Sequence, residues 1–185
     1  RAPKLKEEER KALMKRQLPQ LAARLSQTVD KLKQPAEMDA AQIPAQSWWG
    51  TLQTRYEHDD VQFSADAVDD TPLPQDLFDS VADNLLTNAL RKRQREPGIR
   101  VGAHLTLHPL VCLTVTDSGE PAPEHVARNL FLSPVASDFG LGVGLYQAAR
   151  QSARSGFRLE LPDNHAGRVT FRLQATDSRP PDIPG

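Results

Sequence analysis

The sequence lacks the features that mark disulfide-stabilised, membrane-spanning or strongly charged proteins. Cys112 is the only cysteine among 185 residues, so no disulfide can form within the chain, and its apolar surroundings predict a small buried side chain. The 23 basic and 24 acidic residues nearly cancel, which leaves no net field to attract nucleic acid or an anionic membrane. No apolar run approaches the roughly 18 residues that span a bilayer, and the amino-terminal stretch is charged. We therefore expect a soluble, cytoplasmic chain without a nucleic-acid partner.

Proline and leucine spacing divide the chain into four parts. Residues 1–35 are predicted to end in a bundle or coiled-coil helix that needs a partner helix. The prediction rests on the heptad-like spacing of Leu18, Leu21, Leu25 and Leu32. Residues 36–45 are rich in proline and alanine, which indicates a linker. We expect one globular domain over residues 46–175 and a disordered tail over residues 176–185.

The globular part shows the periodicities of an α+β fold. Its predicted order is helix, strand, long helix, strand, strand, short helix, helix, strand, strand, which suits helices that cover one face of a mixed sheet. The long helix is opened by Pro74 and Asp76, continues to about Arg95 and is ended by Pro97 and Gly98. Its apolar stripe consists of Phe78, Val81, Ala82, Leu85 and Ala89. Strands are predicted at VQFSA, IRVGAHLTLH, LVCLTVTD, GFRLELP and GRVTFRLQA, with the second and third paired as a hairpin.

Three polar residues share one edge of the long helix, in the stretch DNLLTNALRKR. At about 100° per residue, Asn84, Asn88 and Arg91 fall within a narrow arc beside the apolar stripe. Carboxamide oxygens coordinate hard cations and a guanidinium binds phosphate, so this edge is suited to a cation and an anion together. Taken alone, the pattern is also explained by two capped or solvated asparagines.

Two further signals follow along the chain. The apolar strand LVCLTVTD delivers Asp117 at its end beside Gly119, where a buried carboxylate can accept a hydrogen bond from an exocyclic amine; an ordinary turn is the alternative. The stretch FGLGVGL places Gly140, Gly142 and Gly144 directly before an apolar helix, where exposed amides can cradle phosphate; a capped flexible loop is the alternative. These glycines come late and follow a loop, which argues against a dinucleotide-binding Rossmann unit.

In this order, the three signals resemble the N, G1 and G2 boxes of the ATP-binding domain of sensor histidine kinases, in the GHKL superfamily that includes DNA gyrase and MutL-type ATPases. The resemblance runs from about Gln46 to Ala175. It implies a two-layer α/β sandwich of the Bergerat type, preceded by the end of a dimerisation helix. It also implies ATP and Mg²⁺ as the bound cofactors.

The resemblance assigns roles to individual positions. Asn88 matches the magnesium-binding asparagine, Asn84 the polar position one turn earlier, Arg91 the basic phosphate neighbour, and Asp117, next to Gly119, the acceptor for the adenine amino group. Further nucleotide contacts are implied at Gly140, Gly142, Gly144, Leu145 and Thr170. For Thr170, a strand threonine that faces a neighbouring strand is the alternative. The segment 120–139 would form a short lid, with Leu130 and Phe131 near the box that contains phenylalanine.

The sequence departs from the sensor-kinase pattern at Pro121, and it differs from gyrase-like ATPases at Asn84. Pro121 replaces the second glycine of the usual Asp-x-Gly-x-Gly box and removes an amide donor, which leaves a degenerate nucleotide-binding scaffold as an alternative. Gyrase-like ATPases carry a glutamate base where this chain has Asn84, and an amide cannot act as that base. We expect slow hydrolysis and transfer to a protein acceptor, with the adjacent Asp83 a solvated carboxylate.

Sensor histidine kinases phosphorylate a histidine on a dimeric helical hairpin, and residues 1–35 contain no histidine. The resemblance therefore places the acceptor helix before Arg1, and it implies a homodimer that relays phosphate to the receiver domain of a response regulator. The parent protein would be a membrane-anchored bacterial sensor with this chain on its cytoplasmic side. A serine/threonine kinase of the anti-sigma type shares the boxes but would not need the upstream heptad helix.

Several conspicuous residues are assigned to structure. Trp48 and Trp49 are expected to pack against the domain, because no basic groove accompanies them. His58 is predicted in an exposed turn. His104 and His108 have a helical metal spacing, but their segment alternates as a strand does, so no zinc site is predicted.

Overall fold

The structure, a computed structural model, describes residues 41–132 and 141–176, all within the unit that begins at Ala40. The helices of these ranges are α1 (Ala45–Arg55), α2 (Gln75–Arg95), α3 (Glu124–Ala127) and α4 (Leu141–Arg154). Their strands are β1 (Gln42–Pro44), β2 (Val61–Ala65), β3 (Pro72–Pro74), β4 (Val101–Thr106), β5 (Cys112–Asp117), β6 (Phe157–His165) and β7 (Arg168–Ala175). Apart from β1 and β3, the elements follow the predicted order.

The main sheet has five strands in the order β2-β4-β5-β7-β6. Strands β2 and β4 are parallel, whereas the other neighbouring pairs are antiparallel, so the sheet is mixed. Side chains alternate along β5, where Leu113 and Val115 are buried against the helices while Thr114 and Thr116 on the other face are partly exposed. Helices α2 and α4 contact each other and cover the buried face. The predicted two-layer α+β sandwich is therefore confirmed.

Helix α2 carries the predicted apolar stripe into the core. The five stripe residues are all buried: Phe78, Val81, Ala82, Leu85 and Ala89. The ring of Trp48 in α1 packs edge-on against Phe78, with centroids 5.1 Å apart, and Trp49 packs in the same way against Phe63 of β2 at 5.4 Å. Both tryptophans thus attach α1 to the domain, as their assignment to packing predicted.

Strands β1 and β3 form a separate two-stranded antiparallel ribbon that the sequence did not predict. The ribbon leads into α1 and α2, because α1 follows β1 directly and α2 follows β3 directly. The first amide of α1, at Ala45, donates to Thr71 O at 2.9 Å, and the first amide of α2, at Gln75, donates to Ala41 O at 2.9 Å. Neither helix has a side-chain cap, so these carbonyls satisfy amides that would otherwise lack partners. Strand β1 lies within the segment 36–45 that was predicted to be a linker.

Some predictions fall outside the described residues, including the heptad helix over residues 1–35 and the tail beyond Thr176. Thr176 itself, placed in the predicted tail, donates its amide to Gly156 O at 2.9 Å and is part of the fold. Cys112 is only partly buried on the outer face of the sheet, so its prediction as a buried side chain is wrong. Among the described helices, none has the length and hydropathy required to cross a bilayer.

Candidate functional site

A cavity of about 180 Å³ opens between the carboxyl-terminal half of α2, the ends of β5 and β7, and the segment 120–123. It combines apolar walls with charged groups of both signs. Its lining consists of Leu85, Asn88, Ala89, Arg91, Lys92, Arg95, Glu96, Val115, Asp117, Glu120, Pro121, Ala122, Pro123, Val169 and Phe171. The asparagine helix and the end of the Asp117 strand, which the sequence predicted to act together, therefore meet at one site.

Asp117 supplies the buried carboxylate of this cavity. It is the last residue of β5, and because β5 alternates, its side chain faces the same side as Val115. Only 6% of the residue is exposed. Its Oδ1 accepts hydrogen bonds from the Gly119 amide at 2.9 Å and from Lys92 Nζ at 2.8 Å. The bond from the Lys92 ammonium joins two charged groups, which makes it short and strong. Together with the Gly119 amide, it holds the carboxylate in one orientation.

Neighbouring side chains come close to the backbone of Gly119. A Cβ atom at this position would lie 2.4 Å from Ile99 Cδ1 and 2.7 Å from Lys92 Cε. Such distances are far below van der Waals contact. The predicted proximity of Gly119 to Asp117 is present as the hydrogen bond from the Gly119 amide to Asp117 Oδ1.

Asn88 and Arg91 line the cavity from α2, one helical turn apart. Within the described ranges neither side chain forms a hydrogen bond or ion pair that would withdraw it from a ligand. Arg91, Lys92 and Arg95 bring three cationic groups to the lining, against the carboxylates of Asp117, Glu96 and Glu120. The site therefore has an amide oxygen and a guanidinium directed to one space, which is the donor set predicted for a cation with phosphate.

Asn84 has a different environment from Asn88. Its Nδ2 donates to Ser80 O in the same helix at 2.7 Å. Its Oδ1 points at Gly144 of α4, where a Cβ atom would lie only 2.5 Å away. Asn84 and Gly144 are absent from the cavity lining and form instead one of the close contacts between α2 and α4. Asn84 is thus the member of the predicted polar edge that the structure separates from the other two.

The remaining predicted glycine-box residues are distributed between core and undescribed chain. Leu145 is fully buried in the core and does not line the cavity. Gly142 lies within α4, whereas Gly140 lies outside the described residues. Of the predicted lid, residues 120–132 are described; Leu130 is fully buried in the core, and Phe131 is partly buried against it.

Thr170 faces away from the cavity. The register of β5 and β7 pairs it with Thr116, and the two hydroxyl oxygens are 3.3 Å apart on the sheet face opposite the helices. Its neighbours in the strand, Val169 and Phe171, line the cavity instead. Of the two readings of Thr170, the structure has the strand threonine that faces a neighbour. The apolar alternation of Val169, Phe171 and Leu173 is the sequence signal that favours this reading.

Asn164 of β6 is a site residue that the sequence analysis missed. Its Oδ1 accepts from the Ala122 amide at 2.8 Å, and its Nδ2 donates to the Ala122 carbonyl at 2.9 Å. This pair of bonds fixes the segment that forms one wall of the cavity. Pro121 has no amide to contribute there, so Asn164 anchors the wall at the next residue. No local pattern marks the contact, because it joins residues far apart in the chain.

Asp83, predicted to be a solvated carboxylate, is engaged by α1. Its Oδ1 accepts from Arg55 Nη1 at 2.8 Å and from the Tyr56 hydroxyl at 2.9 Å. Burial, followed by the charge of Asp83 and its hydrogen bond, raises the pKa of Tyr56 to about 12. The carboxylate therefore serves as an attachment point between α1 and α2 and is directed away from the cavity.

The histidines are dispersed across the domain. His58 lies in a turn with a side chain that is 93% exposed, as predicted. His104 of β4 contacts Ser64 at 2.9 Å, and His108 contacts Asp69 at 2.8 Å. Over residues 41–132 and 141–176, no three His, Cys, Asp or Glu side chains are grouped as a metal site would require.

Comparisons with known proteins agree with this geometry. Residues 74–178 match the family described as histidine kinase-, DNA gyrase B-, and HSP90-like ATPase. The nucleotide-free catalytic domain of the histidine kinase ThkA is 19% identical with a TM-score of 0.60, over 75% of this chain and 97% of that one. The mycobacterial sensor histidine kinase MprB is 19% identical with a TM-score of 0.57, over 74% of this chain and 96% of that one.

A third structure, of ThkA in complex with the response regulator protein TrrA, gives a TM-score of 0.63 at 15% identity. It covers 88% of this chain and 49% of that chain. No curated protein matches the sequence. At these identities the structural likeness establishes a shared fold.

Proposed function

The chain belongs to the family of histidine kinase-, DNA gyrase B- and HSP90-like ATPases, and from this premise we propose that its cavity binds ATP together with Mg²⁺. The observation that carries the proposal is the buried Asp117 carboxylate at the base of a cavity whose rim holds Asn88 and Arg91. An apolar pocket with a few convergent polar groups is the usual form of a small-molecule site.

Each polar group has a role that its chemistry suits. The Asp117 carboxylate accepts a hydrogen bond from the adenine amino group, while the apolar side chains of Val115, Val169 and Phe171 pack against the base. The Asn88 carboxamide oxygen is a hard ligand that fits Mg²⁺, and Arg91 is free within the described residues to bind phosphate. Bound magnesium supplies neutralisation of the phosphate charge, which is the main requirement of phosphoryl transfer.

We propose further that the domain transfers the γ-phosphoryl group to a histidine outside this sequence and hydrolyses ATP slowly. Hydrolysis needs a base that activates water, and gyrase-like ATPases carry this base at the position of Asn84. Neither Asn84 nor the adjacent Asp83 suits that role. Asn84 is an amide bonded to Ser80 O, and the Asp83 carboxylate is bonded to Arg55 and Tyr56. Water activation needs a base within reach of the water, so transfer to a protein acceptor is favoured.

The parent protein would be a homodimeric, membrane-anchored sensor with this chain on its cytoplasmic side. Its dimerisation helices would carry the acceptor histidine, and a receiver domain would take the phosphate from it. Support for a receiver-domain partner comes from the fold shared with ThkA, whose structure includes the response regulator protein TrrA.

One observation favours a second candidate function, that of a scaffold that has kept the fold without binding nucleotide. Asp117 Oδ1 already accepts two hydrogen bonds, one of them from the Lys92 ammonium, and Pro121 has no amide to offer a ligand. On this alternative, Lys92 would neutralise a carboxylate that has lost its function.

Calorimetric titration of Mg-ATP separates the two functions. We expect saturable binding by the wild-type chain and a loss of at least about tenfold, or 1.4 kcal/mol, in Asp117→Asn, because the amide donates where adenine needs an acceptor. Asp163→Asn is the matched control, since Asp163 pairs with Arg168 at the surface and should bind as wild type does. Circular dichroism verifies folding of all three proteins. Absence of binding by folded wild type would reject the ATP site and leave the scaffold.

A further inference from the structure

Lys92 is a polar group of the cavity to which the family resemblance assigned no role. It follows Arg91 on α2 and lines the cavity beside Asp117. Its Nζ donates to Asp117 Oδ1 at 2.8 Å, and the two side chains are 22% and 7% exposed. A cation is thus held against the carboxylate that the proposed function uses to recognise the base.

The surrounding structure fixes the position of this ammonium. The lysine stem passes close to Gly119: a Cβ atom built on this glycine would lie only 2.7 Å from Lys92 Cε. The Gly119 amide donates to the same carboxylate oxygen that Lys92 contacts. Both bonds converge on Oδ1, so the carboxylate has one oxygen committed to protein donors and its second oxygen, Oδ2, is the one suited to a ligand.

The hydrogen-bonding capacity of Lys92 exceeds the single bond seen here. An ammonium has three N–H donors, and within the described part of the chain only one is used, toward Asp117. The site therefore presents an acceptor and a donor side by side. A base that fills it must present a donor next to an acceptor, and adenine does so with its N6 amine and its adjacent ring nitrogen N1.

We propose that Lys92 is a base-specificity residue that donates a hydrogen bond to adenine N1 while Asp117 accepts one from N6. The inference rests on the proposed ATP site and names the contact by which that site distinguishes its base. A base without an acceptor at this position leaves a partly buried ammonium donor without its partner. Hydrogen bonds to charged groups contribute enough to make that loss about tenfold or more in affinity.

The test compares ATP with 1-deaza-ATP, in which a C–H replaces N1 and the amine is retained. Calorimetry of the wild-type chain should show 1-deaza-ATP binding at least about tenfold more weakly than ATP. In Lys92→Met, which keeps the length of the stem and removes the donors, the two nucleotides should bind with equal affinity. This analogue comparison measures the N1 contact separately from any general weakening of the site.

Arg93→Met is the matched control for charge and position. Arg93 is the next residue of α2, but its guanidinium donates to the backbone carbonyls of Asp59 and Asp60 and does not line the cavity. The variant loses one positive charge, as Lys92→Met does. It should keep the full preference for ATP over 1-deaza-ATP.

The outcomes distinguish the inference from the function beneath it. Equal binding of ATP and 1-deaza-ATP to wild type would overturn the role of Lys92 and leave the ATP site intact. Tighter ATP binding by Lys92→Met would also overturn it, because Lys92 would then compete with adenine for Asp117. Failure of folded wild type to bind either nucleotide would reject the ATP site itself and the inference with it. Should Lys92→Met not fold, the two nucleotides on wild type still decide the matter.

Discussion

The contact between Asn84 and Gly144 gives a quantitative prediction for two helical glycines. Gly50 lies in α1 with no atom within 4 Å of a Cβ built on it, whereas a Cβ on Gly144 would lie 2.5 Å from Asn84 Oδ1. Replacing a helical glycine by alanine ordinarily stabilises a protein by about 1 kcal/mol. Gly50→Ala should realise that gain in full.

Gly144→Ala should not give this stabilisation, because the added methyl group enters space that Asn84 occupies. Overpacking of a close contact costs about 1–3 kcal/mol, and Asn84 cannot turn away without breaking its bond to Ser80 O. The net effect should be a free energy of unfolding unchanged or lowered by up to about 2 kcal/mol. For a chain of this length, each kcal/mol corresponds to a shift in Tm of about 2–4 °C.

Urea unfolding followed by tryptophan fluorescence measures these changes, since Trp48 and Trp49 are both buried. The decisive comparison adds Asn84→Ala to each glycine variant. Removing the amide opens space for the methyl group, so Gly144→Ala should stabilise the Asn84→Ala background by about 1 kcal/mol, as Gly50→Ala does in either background. If Gly144→Ala stabilises wild type as much as Gly50→Ala does, α2 and α4 do not approach as described and the reasoning is refuted.

Two further predictions concern the wall of the cavity and the attachment of α1. Asn164→Asp keeps the acceptor for the Ala122 amide but loses the donor, so hydrogen exchange at Ala122 should reveal local opening easier by about 1–3 kcal/mol; unchanged exchange would contradict the anchoring role. Because the pKa of Tyr56 is raised from 10.0 to about 12, its contribution to stability is present below pH 10 and is lost as the pH rises through about 12. Urea midpoints at high pH should therefore fall more steeply in wild type than in Tyr56→Phe, and parallel curves would contradict it.

Local sequence signals were sufficient for the elements that carry the site. Pro74 and Pro97 bracket α2, and its apolar stripe has a clear helical period, so its bounds and its buried face were predictable. The apolar run that ends in Asp117 identified β5 as a central strand. The resemblance of these two elements to the N and G1 boxes then placed Asn88, Arg91 and Asp117 in one site.

The errors arose where structure depends on contacts between distant segments. The three-residue strands β1 and β3 are too short and too rich in proline to show alternation. The two readings of Thr170 could not be separated without the register of β7, because a shift of one residue reverses the direction of every side chain in a strand. The bonds of Lys92 to Asp117 and of Asn164 to Ala122 join residues 25 and 42 positions apart, which no local period encodes.

The ribbon of β1 and β3 makes α1 and α2 depend on each other's flanking segments for their first turns. Each helix directly follows a proline, and its first amide donates to the carbonyl of the residue just before the opposite strand. A chain shortened to begin at residue 46 would therefore do more than remove an extended segment. It would leave the Gln75 amide without its acceptor at Ala41 and loosen the amino-terminal end of the helix that carries Asn88 and Arg91. We therefore expect a stable form of this domain to include Ala41, upstream of its first helix.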